Sequence, residues 1–149
     1  SCIKEGMKII SGGTDNHLML IDVTTFGLTG RQAAGALREC GITLNKNTIP
    51  FDRNTPLVTS GLRLRTPAIT TLGMGAEEMK EIAAIIKLAL ANTKPGTVES
   101  GANAGKPSKI NYTIDAIALD AAKARVKEML DRYPVYPELD LAFLQEHFT

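Results

Sequence analysis

The sequence predicts a small two-layer α/β domain, a partly antiparallel sheet with helices packed on one face. Three observations carry that expectation. Short apolar runs alternate with segments of helical period, in the order β-β-α-β-loop-β-α-loop-α. Clusters of Gly, Pro, Asn and Asp separate these segments, and no internal repeat interrupts the order. The chain has 149 residues, 44% of them hydrophobic and 22% charged, which fits one domain with a sizeable core.

Met7 to Ile10 is the first expected strand, closed by the turn Ser11-Gly12-Gly13. That turn has the glycines of a phosphate loop but lacks its lysine and following helix. His17 to Val23 is the second strand, antiparallel to the first across Thr14-Asp15-Asn16. Asp15, His17 and Asp22 match no metal-ligand spacing and read as a turn network with a strand start. Thr29 and Gln32 have capping-box spacing and open the first helix. Ala33, Ala36, Leu37 and Cys40 share one face of it, which makes Cys40 a core thiol, and Gly41 is its left-handed cap.

Ile42 to Leu44 is a short extended piece, and Gly61 to Arg65 is a short strand. Gly73 to Gly75 is a turn. The helix Ala76 to Asn92 follows, with Met79, Ile82, Ala83, Ile86 and Leu90 as its buried stripe. Glu77 and Glu78 in its first turn, and Lys87 and Lys94 near its end, suit the helix dipole, and Pro95 stops it. Lys94 to Asn111 is rich in Gly, Pro, Ser and Asn and is expected to be a mobile surface loop. Thr113 caps a third helix that runs to Arg132 and packs through Leu119, Ala122, Val126, Met129, Leu130 and Tyr133. Pro134 and Pro137 break the chain, and Asp140 to Phe148 is expected to add a last short helix. The expected division is a single domain over 1–149, with 94–112 as a flexible surface loop and 113–149 as a C-terminal helical part.

Composition sets bounds on function. A net charge of +1 gives no electrostatic case for nucleic acid or an anionic membrane. No run of about 18 apolar residues offers a membrane span. Two cysteines, Cys2 and Cys40, form no disulfide framework and point to a reducing, cytoplasmic setting. The start at Ser1 lacks a signal-peptide apolar region and reads like a cut inside a longer chain.

Asn45 to Thr70, NKNTIPFDRNTPLVTSGLRLRTPAIT, is the stretch with the most chemistry. Pro50, Pro56 and Pro67 stiffen it, and Asn45, Asn47, Asp52, Arg53, Arg63 and Arg65 give it polar groups. Stiff polar loops are good places to hold a ligand. NKNTIPFD and TPLVTSGLRLRTPAITT, with the earlier SGGTDNHLMLIDV in the same order, resemble serine hydroxymethyltransferase, also called glycine hydroxymethyltransferase. The similarity runs from about Met7 to Pro95, and it implies the C-terminal domain of a longer enzyme of fold-type I.

The resemblance implies a transferase of one-carbon metabolism in the cytoplasm, which interconverts serine and glycine with tetrahydrofolate as co-substrate. Pyridoxal 5'-phosphate would sit on a lysine of a large domain. The Thr-rich motif ending in His-Lys that carries it has no counterpart here, so this chain alone is expected to be inactive. The remaining implied partners are the rest of the same chain and a second subunit, in a homodimer or tetramer.

Arg63 matches the family arginine that holds the substrate carboxylate. A guanidinium suits that role, because its planar fork donates two parallel hydrogen bonds and stays charged. Asn47 resembles the asparagine that contacts the pterin, and its amide both donates and accepts. Thr55, Pro56 and Leu57 align with a second folate-contacting segment that often reads Ser-Pro-Phe. Arg65 stands where relatives usually carry glycine. Leu57 and Arg65 leave open a related aldolase of β-hydroxy amino acids. The lack of a cofactor lysine leaves open a non-catalytic module that binds carboxylates or a protein.

Overall fold

The computed structural model describes residues 1–135. Four strands form an antiparallel sheet in the order β1-β2-β4-β3. They are β1 (Lys8–Ile9), β2 (Leu18–Asp22), β3 (Asn45–Asn47) and β4 (Gly61–Arg65). Two further strands, β5 (Thr93–Thr97) and β6 (Pro107–Ile114), form a separate hairpin. The helices are α1 (Gly30–Glu39), α2 (Pro67–Thr71), α3 (Ala76–Ala91) and α4 (Ala116–Arg132). This is the expected two-layer α/β domain.

The sheet sorts its residues by strict alternation. Ile9 pairs with Ile21, and Ile21 with Leu62. These residues and Leu64 are buried, and they meet Ala33, Leu37, Ala83, Ile86, Leu90, Ala122 and Met129 of the helices in one core. The intervening residues Lys8, Leu20, Asp22, Arg63, Asn45 and Asn47 lie on the opposite face.

The α1 terminus follows the expected chemistry. Gln32 N–H donates to the Thr29 hydroxyl, Thr29 N–H donates to Gln32 Oε1, and Gly41 takes φ +87°. A side chain at Gly30 would drive its Cβ into Thr59 Oγ1 and to 2.6 Å from the Gly61 carbonyl oxygen. Glycine there lets the helix start dock against the chain entering β4, where Gly30 N–H donates to the Thr59 carbonyl.

Several expectations need correction. The Lys94–Asn111 stretch is not an irregular loop: β5 and β6 pair through Thr93–Ile114, Lys94–Thr113 and Pro95–Tyr112. The connection is confined to 98–106, between Val98 N–H donating to the Lys106 carbonyl and Gly105 N–H donating to the Val98 carbonyl. Pro95 is tolerated because the register shifts beside it, so its missing N–H falls at an irregularity. Lys94 consequently belongs to a strand, and α3 ends at Ala91 without it. The cap of α4 is Asp115, which accepts from Ala118 N–H, and Thr113 lies in β6. Leu130 is exposed, because the packing side of α4 is set by Ala118, Ala122 and Met129. β3 and the short α2 occupy stretches expected to be irregular chain. The expected helix Asp140–Phe148 lies outside the described residues.

Candidate functional site

The Arg63 side chain is placed by its strand. It lies opposite Leu20 of β2 and Asn45 of β3, on the face away from the helices. It is half-buried, and its Nε is buried with no hydrogen-bond partner among the described residues. Among the described residues no carboxylate forms an ion pair with it. A buried, unpartnered N–H on a permanent cation is costly unless something accepts from it. The group is therefore suited to an incoming anion.

Asn47 shares this face, one ladder step away, opposite Gly61. Its Nδ2 donates to the Thr48 carbonyl at 2.7 Å. A side chain at Gly61 would bring its Cβ to 2.6 Å from Ile49 Cγ2 and 2.9 Å from the Asn47 carbonyl oxygen. Glycine at 61 therefore lets the loop leaving β3 close over the start of β4. Arg65 is exposed, and β4 stays regular through it, opposite Leu18. No bend removes it from the Arg63 face, and the two Cα positions are about 7 Å apart by strand rise.

Thr55, Pro56 and Leu57 form the exposed tip of the loop joining β3 to β4, with Leu57 72% exposed. The Thr55 carbonyl accepts from Val58 and Thr59, and the Pro56 carbonyl accepts from Lys46 Nζ. Asp52, to which the sequence reading gave no role, organises this loop. Its carboxylate accepts from the backbone N–H groups of Ile49, Asn54 and Ser60 and from the Ser60 hydroxyl. Burial raises the Asp52 pKa, but these hydrogen bonds outweigh it and hold the carboxyl below its ordinary 3.8. The spacing Asp-Arg-Asn, with a side-chain oxygen reaching the N–H two residues on, is an Asx-turn signal legible in the sequence.

Lys8 and Asp22 make the ion pair of this face, Nζ to Oδ2 at 2.8 Å. The other Asp22 oxygen accepts from Thr24 N–H at 3.0 Å and from the Thr24 hydroxyl at 2.6 Å. A cleft of about 540 Å³ lies between residues 10–16 and the floor made by Leu18 and Leu20. His17 and Asp15 are exposed. A second, apolar cavity of about 400 Å³ lies on the helix side, between Met19, Leu64, Met79, Ile86 and Met129. It belongs to the core side of the sheet, and Arg63 lines neither space.

The sequence pattern of the family described as serine hydroxymethyltransferase matches residues 1–86. The chain belongs to the serine hydroxymethyltransferase family. A serine hydroxymethyltransferase of Treponema pallidum (strain Nichols) is 50% identical over 149 residues, covering 100% of this chain and 25% of that protein. One of Chlamydia trachomatis serovar L2 is 45% identical over 141 residues, covering 95% of this chain and 28% of that protein. One of Salinispora tropica is 44% identical over 138 residues, covering 93% of this chain and 28% of that protein. The chain thus spans about a quarter of the length of the curated serine hydroxymethyltransferases it matches. Among the described residues no helix is long and apolar enough to cross a membrane.

Proposed function

We propose that residues 1–149 form the C-terminal domain of a cytoplasmic serine hydroxymethyltransferase and supply its substrate-carboxylate anchor and one wall of its folate site. The observation that carries this reading is Arg63. It is a half-buried guanidinium whose buried Nε has no partner among the described residues, on the same sheet face as the Asn47 amide. Two parallel hydrogen bonds from its fork would hold the carboxylate of serine or glycine and fix which substituent of the amino acid is presented for reaction.

Asn47, Thr55, Pro56 and Leu57 are assigned to tetrahydrofolate. The amide supplies a donor and an acceptor, and the exposed Leu57 supplies apolar contact. Pyridoxal 5'-phosphate, when bound to the large domain, supplies the electron sink for carbon–carbon bond cleavage. The residues described here suit the substrate's carboxylate, and the cofactor lysine belongs to the remainder of the longer chain. That remainder and a second subunit, in a homodimer or tetramer, complete the site, and the present chain is inactive alone.

The test is made on the full-length enzyme carrying this domain. Arg63→Ala is expected to lower kcat/KM for serine by on the order of a hundredfold or more, the loss of two charge-assisted hydrogen bonds. Asn47→Ala is expected to raise KM for tetrahydrofolate alone. Unchanged serine kinetics in Arg63→Ala would overturn the assignment. Cleavage of β-hydroxy amino acids with no hydroxymethyl transfer to folate would instead identify an aldolase, the reading that Leu57 and Arg65 leave open.

A further inference from the structure

Asp22 is the only acidic residue in the four strands of the sheet, and it shares a face with Arg63. It lies opposite Gly61, so Arg63 is its diagonal neighbour two residues along β4. Diagonal neighbours on one face are about 7–8 Å apart at Cα, within reach of a long side chain. A buried carboxylate and a half-buried guanidinium at that separation would ordinarily find each other. They do not. Asp22 is 3% exposed, and both of its oxygens are engaged elsewhere, one by Lys8 Nζ and the other by the Thr24 amide and hydroxyl. Arg63 keeps a buried N–H without a partner among the described residues. Among the described residues the other acidic groups around this face are occupied or solvated: Asp52 accepts four hydrogen bonds within its own loop, and Asp15 is exposed.

We propose that Lys8 is a positioning residue for substrate binding: by occupying Asp22 it keeps that carboxylate from capturing Arg63, so the guanidinium remains free for the carboxylate of the amino acid. The inference rests on the reading of Arg63 as the carboxylate anchor. Lys8 itself touches no substrate. It is 61% exposed at its side chain, sits on the edge strand β1, and can be replaced without opening the core. The device is competitive. One internal carboxylate and one external carboxylate suit the same cation, and the lysine decides which one meets it.

Lys8→Met removes the competitor's partner and leaves its charge. In the full-length enzyme, KM for serine and for glycine is expected to rise about tenfold, with kcat at saturation within about twofold, because a saturating carboxylate displaces Asp22 from Arg63. Lys8→Arg should keep the native KM. In Lys8→Met/Asp22→Asn the sheet's carboxylate can no longer capture Arg63, while the amide can still accept from Thr24, so KM should return close to the native value. A direct readout needs no substrate or cofactor. The ¹⁵N–¹H resonance of Arg63 Nε in the 149-residue chain should move in Lys8→Met and return in the double variant.

An unchanged KM and an unmoved resonance in Lys8→Met would overturn the proposal. So would a double variant as impaired as the single, since the effect would then be structural. Arg63→Ala separates the two levels. If it leaves serine KM unchanged, the anchor reading fails. If it raises KM while Lys8→Met does not, only the role of Lys8 fails.

Discussion

Gln32→Met tests how the α1 terminus is tied to the β5–β6 hairpin. Gln32 is 1% exposed, and its side chain makes contacts in two directions. Its Oε1 accepts from Thr29 N–H at 2.9 Å, closing the capping box. Its Nε2 donates to the Ser108 and Asn111 carbonyls, both at 2.7 Å. Methionine has nearly the same volume and keeps the packing, but it makes none of these hydrogen bonds. Asn111 is exposed, so its carbonyl can turn to water, whereas Thr29 N–H and the Ser108 carbonyl are stranded in buried positions. Each stranded group costs about 1–3 kcal/mol, so the loss is about 4 kcal/mol, a large part of the stability of a domain this size.

Gln32→Glu refines the test. It restores the acceptor but points an oxygen at two carbonyls. The carboxyl introduced at this position would have a folded-state pKa above its unfolded value, because burial and the two carbonyls both oppose ionisation. A group raised in that sense has its full stability below the unfolded pKa of about 4.3 and loses it as pH rises through the folded value. The variant should therefore approach the native chain at about pH 4 and fall furthest behind at about pH 7. Urea unfolding of the purified chain, followed by far-ultraviolet circular dichroism at both pH values, measures both effects. A Gln32→Met chain within about 1 kcal/mol of the native one would refute the reasoning. So would a Gln32→Glu deficit that does not grow with pH.

Two further outcomes follow from groups already described. Asp52→Asn should cost about 1 kcal/mol at pH 7, after allowance for partial exposure. Because the Asp52 carboxyl is held below its ordinary 3.8, this gap is full above about pH 4 and closes as pH falls through the folded value, which acid-unfolding curves of the two chains would show. Tyr112 is pushed up to about 12 by burial and by its 2.5 Å hydrogen bond to Glu39, so its stabilising contribution holds below about pH 10 and is lost as pH rises through about 12. Absorbance titration at the tyrosinate band should show a step near 12 that Tyr112→Phe removes; a full set of tyrosines ionising at about 10 would contradict it.

The elements legible in the sequence are those whose determinants are local. The capping box of α1, the glycine at 41 and the five residues of β4 are all signalled within a few positions. β3 is not. Its three residues are Asn-Lys-Asn, with no apolar alternation, and it is a strand because its partner lies across a long loop, Asn45 opposite Arg63. The hairpin is hidden by composition. Gly and Pro between 95 and 107 read as loop, while the alternation of Ile110, Tyr112 and Ile114 with polar residues is the signal to weigh. The core lock of that hairpin, Gln32 to Ser108, joins positions 76 residues apart and leaves no local trace.

The same division explains what could be read of the site. That Arg63 and Asn47 share a face follows once their strands are paired, because alternation is forced by the backbone. Which side chains remain free on that face does not follow. On the proposal above, Arg63 stays unpaired among the described residues because Asp22 is engaged, and Lys8 reaches Asp22 because the β1–β2 register sets the two directly opposite. A shift of one residue in that register would put Lys8 towards the core and Ile9 towards the site face, so the burial of Ile9 against Ile21 fixes the position of the ion pair. The apolar side of the sheet thus determines the electrostatics of the polar side. For that reason a conservative change in the core, such as one that loosens Ile9, is expected to reach the face that carries Arg63 through the strand register and to leave every polar residue of that face in place in the sequence.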